Sequence, residues 1–187
     1  MTRNDILDAA AQVFRKKGFH GASMADIAGA VNLQKASLYH HVSSKQEILL
    51  ALLDRAMDLL AERIAPLASQ LAPADQKLRQ MIHAYLKLLA DNADLASVLL
   101  FEYRSLEPKQ LSRHIPNRDR FENLWRDVVL EGIKTKRFQC PHPGLAVRAM
   151  LGTMNWLLTW YRLDGAMTIE EIADQIADLQ IKGLSAR

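Results

Sequence analysis

Lys35, Ala36, Ser37, Tyr39, His40 and His41 crowd into the run "VNLQKASLYHHVSSK" at residues 31 to 45, around only two firmly apolar positions, Leu38 and Val42. At about 100° per residue, a helix starting at Gln34 puts Leu38 and Val42 on one side while Ala36, Ser37, Tyr39 and His40 span the other. That outer arc carries small residues at its N-terminal half, the shape and chemistry that a DNA major groove admits. Lys35 can donate to guanine O6 or N7, Ser37 can bond several bases, and Ala36 permits close approach or meets a thymine methyl. Tyr39, Ser23 and Lys45 suit phosphate oxygens, the latter two because each lies at a helix N-terminus. Plainer roles stay open. The Tyr39 ring can rest against the first helix, and His41, close to the inner side, can be a structural hydrogen bonder. His40 and His41 make a poor metal pair, because adjacent helical residues diverge and no Cys or acid stands at ligand spacing.

Elsewhere the reactive residue types are not arranged for catalysis. Cys140 and His142 are near neighbours, but "CPHPG" is a proline-broken linker with no oriented base. There is no Gly-x-Ser-x-Gly, phosphate loop or metal-ligand quartet, so the chain is not expected to be an enzyme or to carry a cofactor or metal. The 187 residues, 49% of them apolar, are enough for a substantial core. The whole excess of basic residues, 24 Lys and Arg against 21 Asp and Glu, sits before residue 46, beside the helix just described. A local positive excess of this kind suits a polyanion. One cysteine, an acid within the first five residues and an uncharged run no longer than Ala149 to Tyr161 lead us to expect a cytoplasmic protein with no membrane span.

The elements that must position these groups read as helices throughout. Ile6, Ala10, Val13 and Phe14 form one stripe of a helix over residues 3 to 17, where Gly18 suits a left-handed cap. Ser23 caps a short second helix, with Asp26 in its first turn. Asn32 tolerates the left-handed turn that leads into a third helix at Gln34 to Val42, completing a helix-turn-helix. A long helix follows from about Lys45 to Ala65, bracketed by Pro66 and Pro73. Further helices are expected near 74 to 90, 94 to 104, 117 to 136, 143 to 162 and 168 to 183, with "EPKQLSRHIPN", "QCPHPG" and "LDGAMT" as breaks. The fold class is therefore all-α, about nine helices, with residues 1–45 as a three-helix DNA-binding bundle and 46–187 as a second helical domain.

The run "ILDAAAQVFRKKGFHGASMADIAGAVNLQKASLYHHVSSKQEILLALL" resembles the DNA-binding domain of the TetR family of transcriptional repressors, through "LDAA", "KKGF", "DIA" and "SLYHHVSSK" at that family's spacing. Asn32 and Leu33 replace a common Gly-Val turn, and Ala36 replaces a frequent Gly or Pro. The resemblance implies base contacts by Lys35, Ala36 and Ser37 and backbone contacts by Ser23, Tyr39, His41 and Lys45. It also implies a homodimer. Geometry gives a separate reason for one, since one short helix reads too few base pairs, whereas two copies about 34 Å apart read a palindrome.

The C-terminal stripes Met150, Met154, Trp156, Leu157 and Trp160, then Ile172, Ile176, Leu179 and Ile181, suit a four-helix dimer interface, for which Trp156, Trp160, Ile172, Ile176 and Leu179 are the candidates. Packing inside one subunit is the alternative use of the same stripes. This half is similar to a TetR subgroup of fatty-acid and steroid catabolism regulators that respond to acyl-CoA thioesters, through "EGIKTKRF", "LGTMNW" and "WYRLDG". Leu163 stands where Pro is usual, and "QCPHP" replaces an acidic-Pro step. The resemblance implies ligand binding in this domain, with Phe101, Tyr103, Phe121, Trp125, Met150 and Met154 as pocket candidates and Arg104, Arg118 and Arg162 as cations for a CoA phosphate. The expected function is a palindrome-binding repressor released by a small apolar effector. The alternative is a nonspecific architectural DNA binder without one, which would show a steep salt slope and little sequence preference.

Overall fold

The computed structural model describes residues 2–185, and among them the chain is helical, with one isolated bridge between Phe138 and Ser185. Helix α1 spans Arg3–Gly21, α2 Met24–Ala30, α3 Lys35–Leu38, α4 Lys45–Ser69 and α5 Ala74–Asp91. Then come α6 at Ala93–Ser97, a π turn at Val98–Glu102, a 3-10 turn at Tyr103–Ser105, α7 at Pro108–Lys134, α8 at Pro143–Asn155, α9 at Leu157–Trp160 and α10 at Ile169–Leu184.

Among the described residues, three helix starts carry a reciprocal capping box. Thr2, Ser23 and Thr168 each accept from the backbone amide three residues on, and Asp5, Asp26 and Glu171 reach back to the cap amide. Each box satisfies two amides that a helix start leaves unpaired. Gly18 interrupts α1 at φ 71°, a backbone conformation that glycine adopts without a Cβ penalty, and one more turn follows it. Asn32, also left-handed at φ 54°, makes the turn between α2 and α3.

Several boundaries differ from the sequence expectation. The third helix closes only one α turn; His40 and His41 amides bond three residues back, to Ser37 and Leu38, so the rest is tight turn. Pro66 lies inside α4, and α7 begins at Pro108 and runs through Pro116, where a break was expected. Pro108 suits a first helical position, and Pro116 removes one amide donor without ending so long a helix. The 94 to 104 helix is divided among α6, the π turn and the 3-10 turn, and Trp156 separates α8 from α9.

Packing gathers the described residues into two compact units. One holds the chain up to Asp58 together with Asn92–Asn117; the other holds Leu59–Asp91 and the chain from Arg118 onward. The packing division falls within α4, which begins in the first unit and ends in the second, and α6 and the π turn pack on α1. The first core is built on Ile6, Ala10, Phe14, Ile27, Leu38, Ile48 and Leu52, all buried. In the second unit α5 and α10 pair along their length. Arg79 bonds Asp178, His83 Nε2 lies 3.0 Å from Asp174, and Lys87 lies 3.7 Å from Glu170. Gly132 leaves room for the Phe138 ring, whose position a Cβ would occupy.

Candidate nucleic-acid interface

The interface is assembled from the ends of α1, α2 and α3 and the start of α4. Leu38 and Val42 are buried, so α3 is anchored by the two residues that the periodicity turns inward. Lys35, Ala36, Tyr39, His40 and His41 are exposed and Ser37 is half-buried. Lys35 and Ala36 are therefore open to solvent at the start of α3, with Ser37 partly covered beside them. Tyr39 is 46% exposed, and His41 is exposed and not buried on the inner side.

Ser23 is held by its capping box, its Oγ 3.1 Å from the Asp26 amide. Asp26 also takes a hydrogen bond from Lys17 at 2.7 Å, which, followed by those from Ser23, draws its carboxyl down to about 2 from 3.8. A depressed carboxyl stabilises the folded state above its unfolded value and loses that contribution as pH falls through the folded one. Stability of this unit is therefore expected to decline between pH 3.8 and about 2, and D26N should flatten that part of an acid titration followed by circular dichroism.

The start of α4 is similarly bound. Ser44 Oγ accepts from the Glu47 amide at 3.1 Å, and Glu47 takes bonds from the Ser43 amide and hydroxyl, both at 2.6 Å. Those bonds from Ser43, with a smaller contribution from Arg3, hold the Glu47 carboxyl below its usual range. Lys45 points its ammonium at the carbonyls of Phe19 and Ala22, 2.6 and 2.7 Å away. Sequence periodicity had no means of finding that contact, which joins residues more than twenty positions apart.

The candidate pocket residues fall in both units. Phe101, in the π turn, is exposed and Tyr103 half-buried, and both belong to the first unit. Phe121, Trp125, Met150 and Met154 are buried in the second. Phe121 and Trp125 meet Tyr85 there, with ring centroids 5.9 and 5.7 Å from it. The Tyr85 hydroxyl donates to Asn155 Oδ1 at 2.6 Å, and burial raises its pKa. Neither Tyr85 nor Asn155 stood out in the sequence, since each sits on an ordinary apolar stripe. The Trp125 indole N–H is buried with no acceptor. Arg104 donates to the Tyr103 hydroxyl at 3.0 Å, and Arg162 pairs with Asp164.

Of the candidate interface residues, Trp156, Trp160 and Leu179 are exposed, Ile176 is half-buried and Ile172 is turned into the subunit core. Leu145, Leu163 and Met167 are also exposed in this C-terminal region.

Comparison with known proteins fits this arrangement. Residues 6–52 match the family model of bacterial regulatory proteins, tetR family, and residues 71–184 match that of the tetracyclin repressor-like C-terminal domain. The chain is 34% identical to the TetR family transcriptional regulator PfmR of Thermus thermophilus, whose crystal structure it matches with a TM-score of 0.87 over 97% of this chain and 99% of that one. It is 24% identical to the HTH-type transcriptional repressor KstR2 of Mycobacterium tuberculosis, over 98% of this chain and 92% of the relative. The structure of AibR in complex with isovaleryl coenzyme A and operator DNA shares the fold, at a TM-score of 0.88 and 24% identity over 95% of this chain and 96% of that one. Among the described residues, no helix is long and apolar enough to cross a membrane.

Proposed function

Because the chain belongs to the TetR family of bacterial regulatory proteins, we propose that it is a transcriptional repressor that binds a palindromic operator as a homodimer and is released by a small-molecule effector with an apolar acyl group, an acyl-CoA thioester. The observation that carries the DNA-binding part is the burial pattern of α3 and the turn after it, with Leu38 and Val42 buried while Lys35 and Ala36 are exposed and Ser37 is half-buried. Lys35 and Ser37 then read base edges in the major groove and Ala36 lets the helix approach closely, while Ser23, Tyr39, His41 and Lys45 hold phosphates.

Two observations support an effector in the C-terminal domain. Phe121, Trp125, Met150 and Met154 give the second unit an aromatic and thioether interior, the usual lining of an apolar ligand site. The buried Trp125 N–H is a donor that an acyl carbonyl would satisfy, and an unpaired buried donor otherwise costs about 1–3 kcal/mol. Effector binding would favour a state in which α4 is tilted and the two recognition helices leave one-turn spacing, so operator affinity falls by a population shift.

Binding of the wild type and K35A to a duplex selected from a random library by the full chain tests the reading. K35A should lose roughly 1–3 kcal/mol on the selected duplex and much less on random sequence, narrowing the gap between them. Equal losses on both would remove Lys35 from base reading. A wild type with a steep salt slope and no sequence preference would instead be an architectural binder.

A further inference from the structure

We infer that Arg126 and Arg148, drawn together on Glu122, form a binding site for a terminal phosphate group. Arg126 Nη2 donates to Glu122 Oε1 at 2.5 Å, one turn back along α7, and Arg148 Nε, on α8, lies 3.3 Å from the same oxygen. The carboxylate is 16% exposed, so it is held at the junction of the two helices and not at a loose surface pair. Two guanidiniums that share one carboxylate leave a positive charge unneutralised within the cluster, at a depth where solvent screens it less. Arg162, which the sequence suggested for a phosphate, differs: it is paired one to one with Asp164, and both are exposed.

Hydrogen bonding points the same way as the charge. The Arg126 Nε–H is buried and has no acceptor. That side of the guanidinium lies against the first turn of α8, where a Cβ on Gly144 would come within 3.7 Å of Nε and Nη2. Glu122 does not take Arg126 in the two-pronged manner that would satisfy Nε, and its second oxygen accepts from Arg148 Nε at 3.5 Å. Arg126 Nη1 and both Nη groups of Arg148 have no hydrogen-bond partner among the described residues. Arg148 is 69% exposed, so these donors are reached from solvent.

The donors stand on two helices, and a single planar carboxylate is already in place between them. A phosphate carries three acceptor oxygens in a tetrahedral arrangement, so it can bond a guanidinium fork from each helix at once. Such a group has two sources. One is the nucleotide end of the CoA thioester proposed above, in which case the inference rests on that reading; the other is a free phosphorylated metabolite.

The sources and the site are tested with full-length wild type, R126M, R148M, R148K and the charge control K134M. Coenzyme A and dephospho-CoA, which lacks the terminal phosphate on its ribose, are titrated by calorimetry, and inorganic phosphate by phosphorus NMR, all at one ionic strength. Wild type should bind CoA about tenfold more tightly than dephospho-CoA. R126M and R148M should each weaken CoA and inorganic phosphate about tenfold and leave dephospho-CoA unchanged, since arginine and phosphate are the two halves of one interaction. R148K keeps the charge without the fork and should recover only part of the loss. K134M removes the same charge from an exposed site on α7 and should change none of the three.

If inorganic phosphate depends on both arginines while CoA binds no better than dephospho-CoA, the site stands, a free metabolite is its source, and the CoA reading fails. Equal losses on CoA and dephospho-CoA, a loss matched by K134M, or no binding of phosphate in any form would overturn the site. A weaker dimer in R148M with phosphate affinity unchanged would give the cluster to a carboxylate of a second subunit, and would overturn it too. Should R126M not fold, the exposed Arg148 decides the outcome through R148M and R148K.

Discussion

Replacing Trp156 and Trp160 together by aspartate is expected to convert the protein to a monomer in sedimentation velocity and to lower operator affinity by at least about a hundredfold. Both indoles are exposed, at 65% and 49%, although tryptophan carries one of the largest apolar surfaces of any side chain. Leu145, Leu163, Met167 and Leu179 are exposed in the same C-terminal region, so the unit leaves uncovered the kind of surface that a second subunit buries. Aromatic residues in the centre of an interface commonly cost about 2 kcal/mol or more each when removed, and a carboxylate there must also be desolvated. The loss in operator affinity follows because a single recognition helix retains phosphate contacts and few base contacts, and specific binding exceeds nonspecific binding by about a thousandfold or more. A variant that remains dimeric would move the interface away from these two residues.

The second large effect is expected from Leu38→Ala. Leu38 is the only buried residue of the four in α3, and the helix has no side-chain cap at Gln34 to hold it otherwise. Truncating a fully buried leucine costs about 2–5 kcal/mol, a large part of the roughly 5–15 kcal/mol that holds a typical domain folded. A helix of one turn has no stability of its own, so its register depends on this anchor. L38A should therefore lower the melting midpoint and abolish sequence-specific binding together. A change of the exposed neighbour His40 to Ala should leave the transition in place. Loss of binding with an unaltered melt would mean that α3 is held by contacts other than Leu38.

What the sequence made legible was local. The inward turn of Leu38 and Val42, the left-handed Gly18 and Asn32, and the Ser23 cap with Asp26 in its first turn all follow from spacing within a few residues, and the structure has each of them. Family membership was legible for a related reason, because the DNA-binding motif is carried by one contiguous stretch that residues 6–52 match.

What depended on distant packing was not legible. Proline at 108 and 116 argued for a linker, but Pro108 occupies a helix start, and α7 is long enough to pass through Pro116. The π turn at Val98–Glu102 has no sequence signature, and only packing on α1 places it with the first unit. Apolar spacing assigned Ile172 and Leu179 alike to an interface, whereas α10 turns Ile172 inward and Leu179 outward. Lys45 shows the same limit in the site itself. Its place at a helix N-terminus suits a phosphate, and its length also lets it reach back to Phe19 and Ala22, a contact set by tertiary structure.

The most direct test of the central claim is a methylation-interference footprint of the wild-type protein on the duplex it selects. Two clusters of major-groove guanine contacts are expected, related by a dyad and centred one helical turn, about 34 Å, apart, each weakened by K35A. A single cluster, interference confined to the minor groove, or no interference at any guanine or adenine would contradict two copies of α3 reading the major groove.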